Sequence, residues 1–289
     1  MNIQKIKARA GQIQNLNRAQ YMRILLMLVL LELIPNLFDI GEDILSRLLY
    51  LIISIVFIAV AHGYVISSLK MVRNQSQMLA DDDAFVGFKR FKELFSTYLL
   101  TNIVTIVLGM VAMFILTVFL GIIIGSTAGL PSEAVLLNDY TQIVSYLTNL
   151  PVSILATFML FYLLLIVIVF VISSYMFAVP YLLERYHMTN LNAIKESFRL
   201  MKGHILDFIK LNLSFLGWMV LIILVQSFIG GFLAFLPVLG SLIAAIIAGV
   251  ISVYTYMPRY QLSRAIFFEE LAYYRYEQNQ SYDGDEQHV

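Results

Sequence analysis

Residues 152–183 read VSILATFMLFYLLLIVIVFVISSYMFAVPYLL, an apolar run without a single charged side chain. A helix that crosses a bilayer needs about 20 consecutive, mostly apolar residues. This run exceeds that length and therefore predicts a transmembrane helix. Pro180 is expected to bend the end of the helix, because proline interrupts the hydrogen-bond ladder.

The same criterion identifies further spans on both sides of this run. Of the whole chain, 60% is hydrophobic and 13% is charged, whereas soluble domains are about half apolar and a quarter charged. The sequence thus predicts an all-α, polytopic membrane protein with six transmembrane helices and amphipathic cytoplasmic helices. The five other predicted spans are Met22–Ile40, Leu48–Leu69, Phe95–Gly125, Leu211–Phe235 and Leu239–Tyr260.

The basic residues fix the predicted orientation. Of 19 Lys and Arg residues, only Arg47 falls on the side opposite to the others. Basic residues concentrate in cytoplasmic segments, so we expect a multi-pass protein of the cell membrane with both termini cytoplasmic. The predicted divisions are a cytoplasmic segment (1–21), a six-helix transmembrane domain (22–271) and a polar cytoplasmic tail (272–289), expected to be disordered.

The predicted loops differ between the two sides. The outer segments Gly41–Arg47 and Ser126–Pro151 carry acidic residues, and the longer one is expected to contain an interfacial helix. The two longer inner loops each place apolar residues three and four apart, beside basic ones. Their expected partner is the anionic inner leaflet of the bilayer. The apolar faces are Phe85, Phe88, Phe91 and Phe95, and Ile194, Phe198, Met201, Ile205 and Phe208.

Glu32 and His62 are the main candidates for a functional site. Glu32 follows Arg23 by nine residues, about 13 Å along a helix, which places it near mid-membrane. An ionisable group there costs about 3 kcal/mol or more unless it is paired or neutral. His62 lies at a similar predicted depth in the next span, so we hypothesise a Glu32–His62 hydrogen bond. The pair could couple protons, bind substrate or be purely structural.

Other polar and small residues in the spans favour packing roles over chemistry. Asn36, Asn102, Asn212 and Gln226 can join helices by hydrogen bonds or contact a substrate. The small residues between Ser241 and Ser252 permit close helix approach, either within the chain or in a homodimer. Asp81, Asp82 and Asp83 are interpreted as a solvated acidic turn rather than a metal site.

The sequence carries no recognisable motif for catalysis. It has no cysteine, which excludes disulfides, thiolate metal sites and cysteine nucleophiles. It also lacks a glycine-rich phosphate loop, an HExxH helix and a GxSxG elbow. We therefore expect no catalytic residue, no cofactor and no metal, and the zero net charge points to no nucleic-acid partner.

One stretch resembles a known family. The residues around 193–218, with fragments near Gly87 and Pro180, resemble the bacterial membrane family called domain of unknown function 975, which occurs mainly in Gram-positive bacteria. The resemblance covers about residues 70–271 and implies the topology but no activity. We expect Gly203 to end an amphipathic helix, and Trp218 to lie inside a span or at its interface. The signature residues are Ser197, Met201, Lys202, Gly203, His204, Ser214, Phe215, Gly217 and Trp218.

Three function classes stay open from the sequence. The first is a non-enzymatic membrane protein that supports envelope homeostasis or assembles with a membrane-protein partner or a second copy. The second is a transporter or exporter of a small, lipid-like or peptide substrate, which needs a polar path such as Glu32, His62 and Asn36 could give. The third is a membrane-embedded enzyme.

Overall fold

A computed structural model of the protein describes residues 1–38, 44–127 and 152–277, and this part of the chain contains helices and no strand. Short 3₁₀ turns at Pro35–Phe38, Ser76–Met78 and Asp81–Phe85 join some of the helices, and a π-helical turn covers Tyr273–Glu277. The α-helices are α1 Ile3–Gln14, α2 Arg18–Glu32, α3 Ile44–Phe57, α4 His62–Val72, α5 Val86–Lys89, α6 Phe91–Thr127, α7 Val152–Tyr175, α8 Val179–Tyr186, α9 Asn190–Met201, α10 Ile205–Leu213, α11 Leu216–Phe232, α12 Pro237–Thr255 and α13 Met257–Ala272.

The helices form four to six membrane spans within the described residues. Four helical segments are long and apolar enough to cross a bilayer: Arg18–Phe38, Ile44–Val72, Phe91–Ile123 and Ile154–Tyr186. Two further pairs qualify when each bent pair counts as one span. These pairs are Ile205–Leu213 with Leu216–Phe232, bent by 47°, and Leu239–Thr255 with Met257–Tyr276, bent by 60°. The polytopic all-α class is thus confirmed, and six is the upper count.

The chain divides into two compact units. The first unit comprises Met1–Thr101 and Tyr175–Val289 and holds nearly all of the buried core. Its α1 and α13 lie side by side, and α13 also packs on α4. Aromatic rings fill the space between α8, α10 and α13. The ring centroids of Phe177 and Phe208 are 4.2 Å apart, and those of the stacked Tyr181 and Phe268 are 4.9 Å apart.

The second unit, Asn102–Ser174, has the opposite character. From Asn102 to Ile123 no residue of α6 is buried. A shallow apolar groove of about 200 Å³, lined by residues such as Met113, Leu120 and Phe158, lies between α6 and α7. Such uniformly apolar, exposed helices match a lipid environment, where the hydrocarbon covers the side chains.

Several sequence predictions can be compared directly with the helices. Pro180 was expected to bend the end of this helix, and the helix is instead interrupted just before it: α7 ends at Tyr175, and Pro180 lies in the first turn of α8, where its missing N–H is tolerated. The apolar face predicted for residues 194–208 is split into α9 and α10. Ile44–Arg47, predicted as loop, begins α3. The rest of that turn, most of the predicted interfacial helix and the tail beyond residue 277 lie outside the described residues.

The turn of Asp81, Asp82 and Asp83 is solvated at its first two residues, whose side chains are 46% and 74% exposed, and is buried at the third. Asp83 is only 5% exposed, accepts from Lys70 Nζ at 2.6 Å and caps the backbone N–H of Ala80 at 3.1 Å. Asp81 lies 3.5 Å from Arg23, and Asp82 lies 2.5 Å from Lys89. Asp81 and Asp83 therefore attach the turn before α5 to α2 and α4, whereas Asp82 pairs with α5 itself.

Candidate functional site

Glu32, the last residue of α2, contacts a tyrosine of α4. The Tyr64 hydroxyl donates to Glu32 Oε2 at 3.0 Å. About three turns earlier on α2, the hydroxyls of Tyr21 and Ser68 are 2.9 Å apart, which joins the same two helices. Hydrogen bonds between helices replace the hydrophobic driving force that is missing in lipid. Tyr64 therefore fixes the carboxyl of Glu32 at the end of its helix.

Glu32 also lines a cavity of about 260 Å³ between α2, α11 and α12. We call this space the Glu32 cavity. Two of the amides singled out in the sequence, Asn36 and Gln226, lie on its wall, together with Ser252 and Tyr256. The remaining wall is apolar and small, with Ala245, Ala248 and Gly249 among its residues. The cavity thus groups hydrogen-bonding side chains from three apolar segments.

The small residues of α12 bring this helix close to α2. A Cβ at Gly249 would lie 2.5 Å from Val29 Cγ1, so only glycine fits at this distance. Ala244 and Ala248 are buried. The spacing of small residues therefore serves packing within the chain, as the first of the two interpretations predicted.

His62, the first residue of α4, belongs to a separate polar cluster. Its ring is fully buried, with Nδ1 2.9 Å from the Tyr98 hydroxyl and Nε2 3.0 Å from Glu184 Oε2. Arg90 donates to the same Glu184 oxygen at 2.7 Å and to Glu93. We call these five side chains the His62 cluster. They join α4, α6, α8 and the turn after α5.

The predicted Glu32–His62 hydrogen bond is wrong. Both nitrogens of His62 are already engaged by Tyr98 and Glu184, so the ring has no atom left for Glu32. Glu32 instead takes its hydrogen bond from Tyr64, two positions further along α4. Residues two apart on a helix point to different sides, which separates the two polar groups.

In the His62 cluster, one guanidinium is shared by two carboxylates. Glu93 and Glu184 raise the pKa of the Arg90 guanidinium above its ordinary value, so Arg90 stays charged at every physiological pH. A shared Arg–carboxylate contact of this kind has strong, charge-assisted hydrogen bonds. Glu184, Tyr98 and Arg90 were missed in the sequence, because each looked like an ordinary residue at a span end.

Asn212 and Asn102 lie away from both polar groups. The side-chain amide of Asn212 donates to Phe208 O at 2.8 Å and accepts from the Tyr260 hydroxyl at 2.8 Å, so it joins α10 to α13. Asn102 lies on the exposed part of α6 in the second unit. Of the four amides, only Asn36 and Gln226 therefore join Glu32 at the cavity.

The first half of the family-like signature builds a junction of helices. Ser197 is fully buried; its hydroxyl donates to Tyr175 O at 2.6 Å and accepts from Ala178 N–H at 3.2 Å, which closes the break between α7 and α8. Met201 ends α9 in the core, Lys202 caps it, and Gly203 follows with a φ of 88°. This left-handed φ favours glycine, as expected for a helix-ending residue.

The second half of the signature leads into the next span. Phe215 is buried against Tyr260, and the Lys7 ammonium lies 4.6 Å from the centre of its ring. Ser214 donates to the backbone of Leu211, while Gly217 has open space around it. Trp218 lies in the first turn of α11 with 46% of its surface exposed. Exposure near a helix start fits the interfacial position of tryptophan.

These features define a class: a multi-pass helical membrane protein with buried polar clusters and no recognised catalytic motif. Within that class, the chain belongs to the family described as "Protein of unknown function (DUF975)", whose model matches residues 1–274. The match extends beyond the 70–271 of the resemblance and adds α1, α2 and α3. Neither the comparison with curated proteins nor that with solved structures gives a match.

Proposed function

We propose that the protein is a non-enzymatic, multi-pass protein of the bacterial cell membrane, with cytoplasmic termini, that binds a small polar solute in the Glu32 cavity and moves it across the bilayer. The observation that carries this proposal is the grouping of Glu32, Asn36 and Gln226 on one cavity wall. Polar groups inside apolar spans are costly, and they recur where a substrate passes.

The dimensions and chemistry of the cavity support a small ligand. About 260 Å³ is below the 300–1,000 Å³ usual for drug-sized ligands, so a solute of a few heavy atoms, or the polar end of a longer molecule, is the expected size. Two amides can donate and accept hydrogen bonds, whereas the Glu32 carboxyl adds an acidic group. This combination favours a ligand with hydrogen-bond donors.

A second candidate is assembly with another membrane protein in support of envelope homeostasis. The side chains of Asn36 and Gln226 are exposed within their apolar segments. An amide that faces hydrocarbon without a partner is unfavourable, and a helix of another protein could provide the missing hydrogen bonds. In this case the cavity receives a side chain of that partner instead of a solute.

The test uses the absence of cysteine from the chain. Single cysteines at Gln226 and at Ile223, an exposed residue of the same helix outside the cavity, are treated with a membrane-impermeant maleimide in cells and in inverted vesicles. Maleimides react with the thiolate, which forms in water. We expect Gln226→Cys to react and Ile223→Cys to stay unmodified.

The other outcomes separate the two candidates. Reaction of Gln226→Cys in detergent but in neither membrane preparation indicates that a partner covers the cavity, in favour of assembly. Failure to react in all three contradicts a water-filled path. Complementation of a deletion strain under envelope stress by Glu32→Gln, with Thr255→Val as a control that bonds only its own helix, then tests the carboxyl itself. Full complementation by Glu32→Gln contradicts a role for its charge.

A further inference from the structure

A second, larger cavity lies among the basic ends of the helices. It measures about 1060 Å³ and is open on one side, where α1, the end of α4, the start of α10 and the end of α13 meet. None of its lining residues belongs to the Glu32 cavity. We call it the basic cleft.

Positive charge dominates the lining of the basic cleft. Lys5, Arg9, Arg73 and Arg185 stand against the two carboxylates Glu269 and Glu270. Arg185 is 2.8 Å from Glu269, which neutralises both groups. Lys5, Arg9 and Arg73 are exposed, and in residues 1–38, 44–127 and 152–277 none of the three forms an ion pair.

The arrangement of these cations suits a single ligand. Lys5 and Arg9 are four residues apart on α1, which places them on the same face of the helix. Arg73 reaches the cleft from the C-terminal end of α4. Three cations from two helices that face one space, with a single carboxylate beyond the Arg185 pair, leave room for a ligand with two negative charges.

His204 also lies at the basic cleft. Its side chain lines the space, whereas its Nδ1 atom is buried away from solvent. Gly203, with its left-handed φ, turns the chain directly before this histidine, so the Gly203-His204 pair of the signature is located at the cleft.

The outer part of the cleft is aromatic. Tyr273 and Tyr274 are both exposed, with ring centroids 6.0 Å apart. Arginine and lysine are the main phosphate-binding side chains, and tyrosine rings bind flat or apolar groups. Cations at one end and rings at the other fit a ligand with a phosphate and an organic part.

We propose that the basic cleft binds a phosphate-bearing ligand, with Lys5, Arg9 and Arg73 on the phosphate oxygens. The phosphate can belong to a soluble metabolite or to the headgroup of an anionic lipid. The proposal does not depend on the Glu32 cavity, and the two can fail separately.

The test is calorimetric titration of sodium pyrophosphate into the full-length protein in nanodiscs of phosphatidylcholine. We expect saturable binding that Arg9→Gln/Arg73→Gln weakens at least tenfold. The control is Lys92→Gln/Lys195→Gln, which removes the same charge from exposed positions outside the cleft and is expected to stay within twofold of wild type. Equal thermal midpoints for both variants show that folding is intact.

A second arm separates the sources of phosphate. If phosphatidylglycerol in the nanodisc competes with pyrophosphate, and this competition is lost in Arg9→Gln/Arg73→Gln, the ligand is a lipid headgroup. If it does not compete, the ligand is soluble; both results support the cleft. The proposal is overturned if neither pyrophosphate nor phosphatidylglycerol binds, or if the control pair weakens binding as much as the Arg9 and Arg73 pair.

Discussion

The helix α4 is buried although it is partly polar, whereas the middle of α6 is exposed although it is apolar. In α4, every residue except Lys70 is buried, although the helix contains His62, Ser67 and Ser68. From Asn102 to Ile123, α6 is more apolar, yet no residue there is buried. In a soluble protein the apolar helix would form the core. Here the more apolar of the two helices is exposed, and the partly polar helix lies in the core of its own unit.

The difference shows what holds each region together. Lipid tails are as apolar as leucine, so burying α6 gains nothing, and its side chains can stay outside. α4 is stabilised by specific contacts: Tyr64 with Glu32, His62 with Glu184, and Ser68 with Tyr21. Changes in the α4 region should therefore be costly, and matched changes on α6 should be tolerated.

The largest effect is expected from glycine. A Cβ at Gly87 would clash with Ala59 O and lie 2.8 Å from Val60 Cα, which are backbone atoms of the break before α4 and cannot move independently. Gly87→Ala should destabilise the protein by about 3 kcal/mol, at the upper end for overpacking. Gly121→Ala on α6 meets nothing within 4 Å and should stabilise its helix by up to about 1 kcal/mol. Thermal midpoints in detergent compare the two, and similar midpoints would contradict the close packing of α5.

The next effect concerns the His62 cluster. Glu184→Ala leaves the buried His62 and Arg90 without their shared carboxylate. Removal of one partner from a buried pair costs about 3–5 kcal/mol, and with Glu184 at 24% exposure we expect about 2 kcal/mol. Glu93→Ala, 43% exposed, should cost under about 1 kcal/mol. Resistance to heat-induced aggregation gives the ranking, and a larger loss for Glu93→Ala would refute it.

A smaller effect is expected at the break between α7 and α8. Ser197→Ala removes both hydrogen bonds and leaves Ala178 N–H unpaired, at a cost of about 1–2 kcal/mol. Ser214→Ala loses only a bond to its own helix and should cost about 0.5 kcal/mol or less. Limited proteolysis should cleave the Ser197→Ala variant faster after Tyr175. Equal cleavage of both variants would show that Ser197 does not hold the break.

The smallest effect belongs to α6. The Thr117 hydroxyl donates to Met113 O of its own helix at 2.8 Å, so it holds no other helix. Thr117→Val should change the thermal midpoint by no more than the error of the measurement, equivalent to about 0.5 kcal/mol. A clear loss of stability would mean that Thr117 contributes to packing beyond its own helix, for example against α7 across the groove, and the contrast with α4 would fail.

Local patterns in the sequence were sufficient to predict where the helices lie. Runs of apolar residues predicted the spans, and Gly203 was correctly identified as a helix-ending residue because such a residue needs only its neighbours to be recognised. The polar amides Asn36 and Gln226 were found as unusual residues in apolar segments, and both line the Glu32 cavity.

Pairings between distant segments could not be predicted. His62 and Glu184 are 122 positions apart, and nothing in a single sequence links them. Glu32 was suggested as the partner of His62 because the two residues have a similar predicted depth in the membrane. Depth alone does not give the direction in which each side chain points. The basic cleft was missed for the same reason: Lys5 and Arg73 were interpreted only as signs of orientation, and His204 only as part of the family-like signature.

The pairing of His62 with Glu184 has a consequence for the order of events during synthesis. The second apolar segment enters the membrane with His62 before the residues of α8 exist. At a synthesis rate of about 5–20 residues per second, the 122 residues between them take about 6–25 s to translate. During that interval the imidazole of His62 in the second span lacks its Glu184 partner. A membrane chaperone or protease can use this difference to distinguish the incomplete chain from the finished protein.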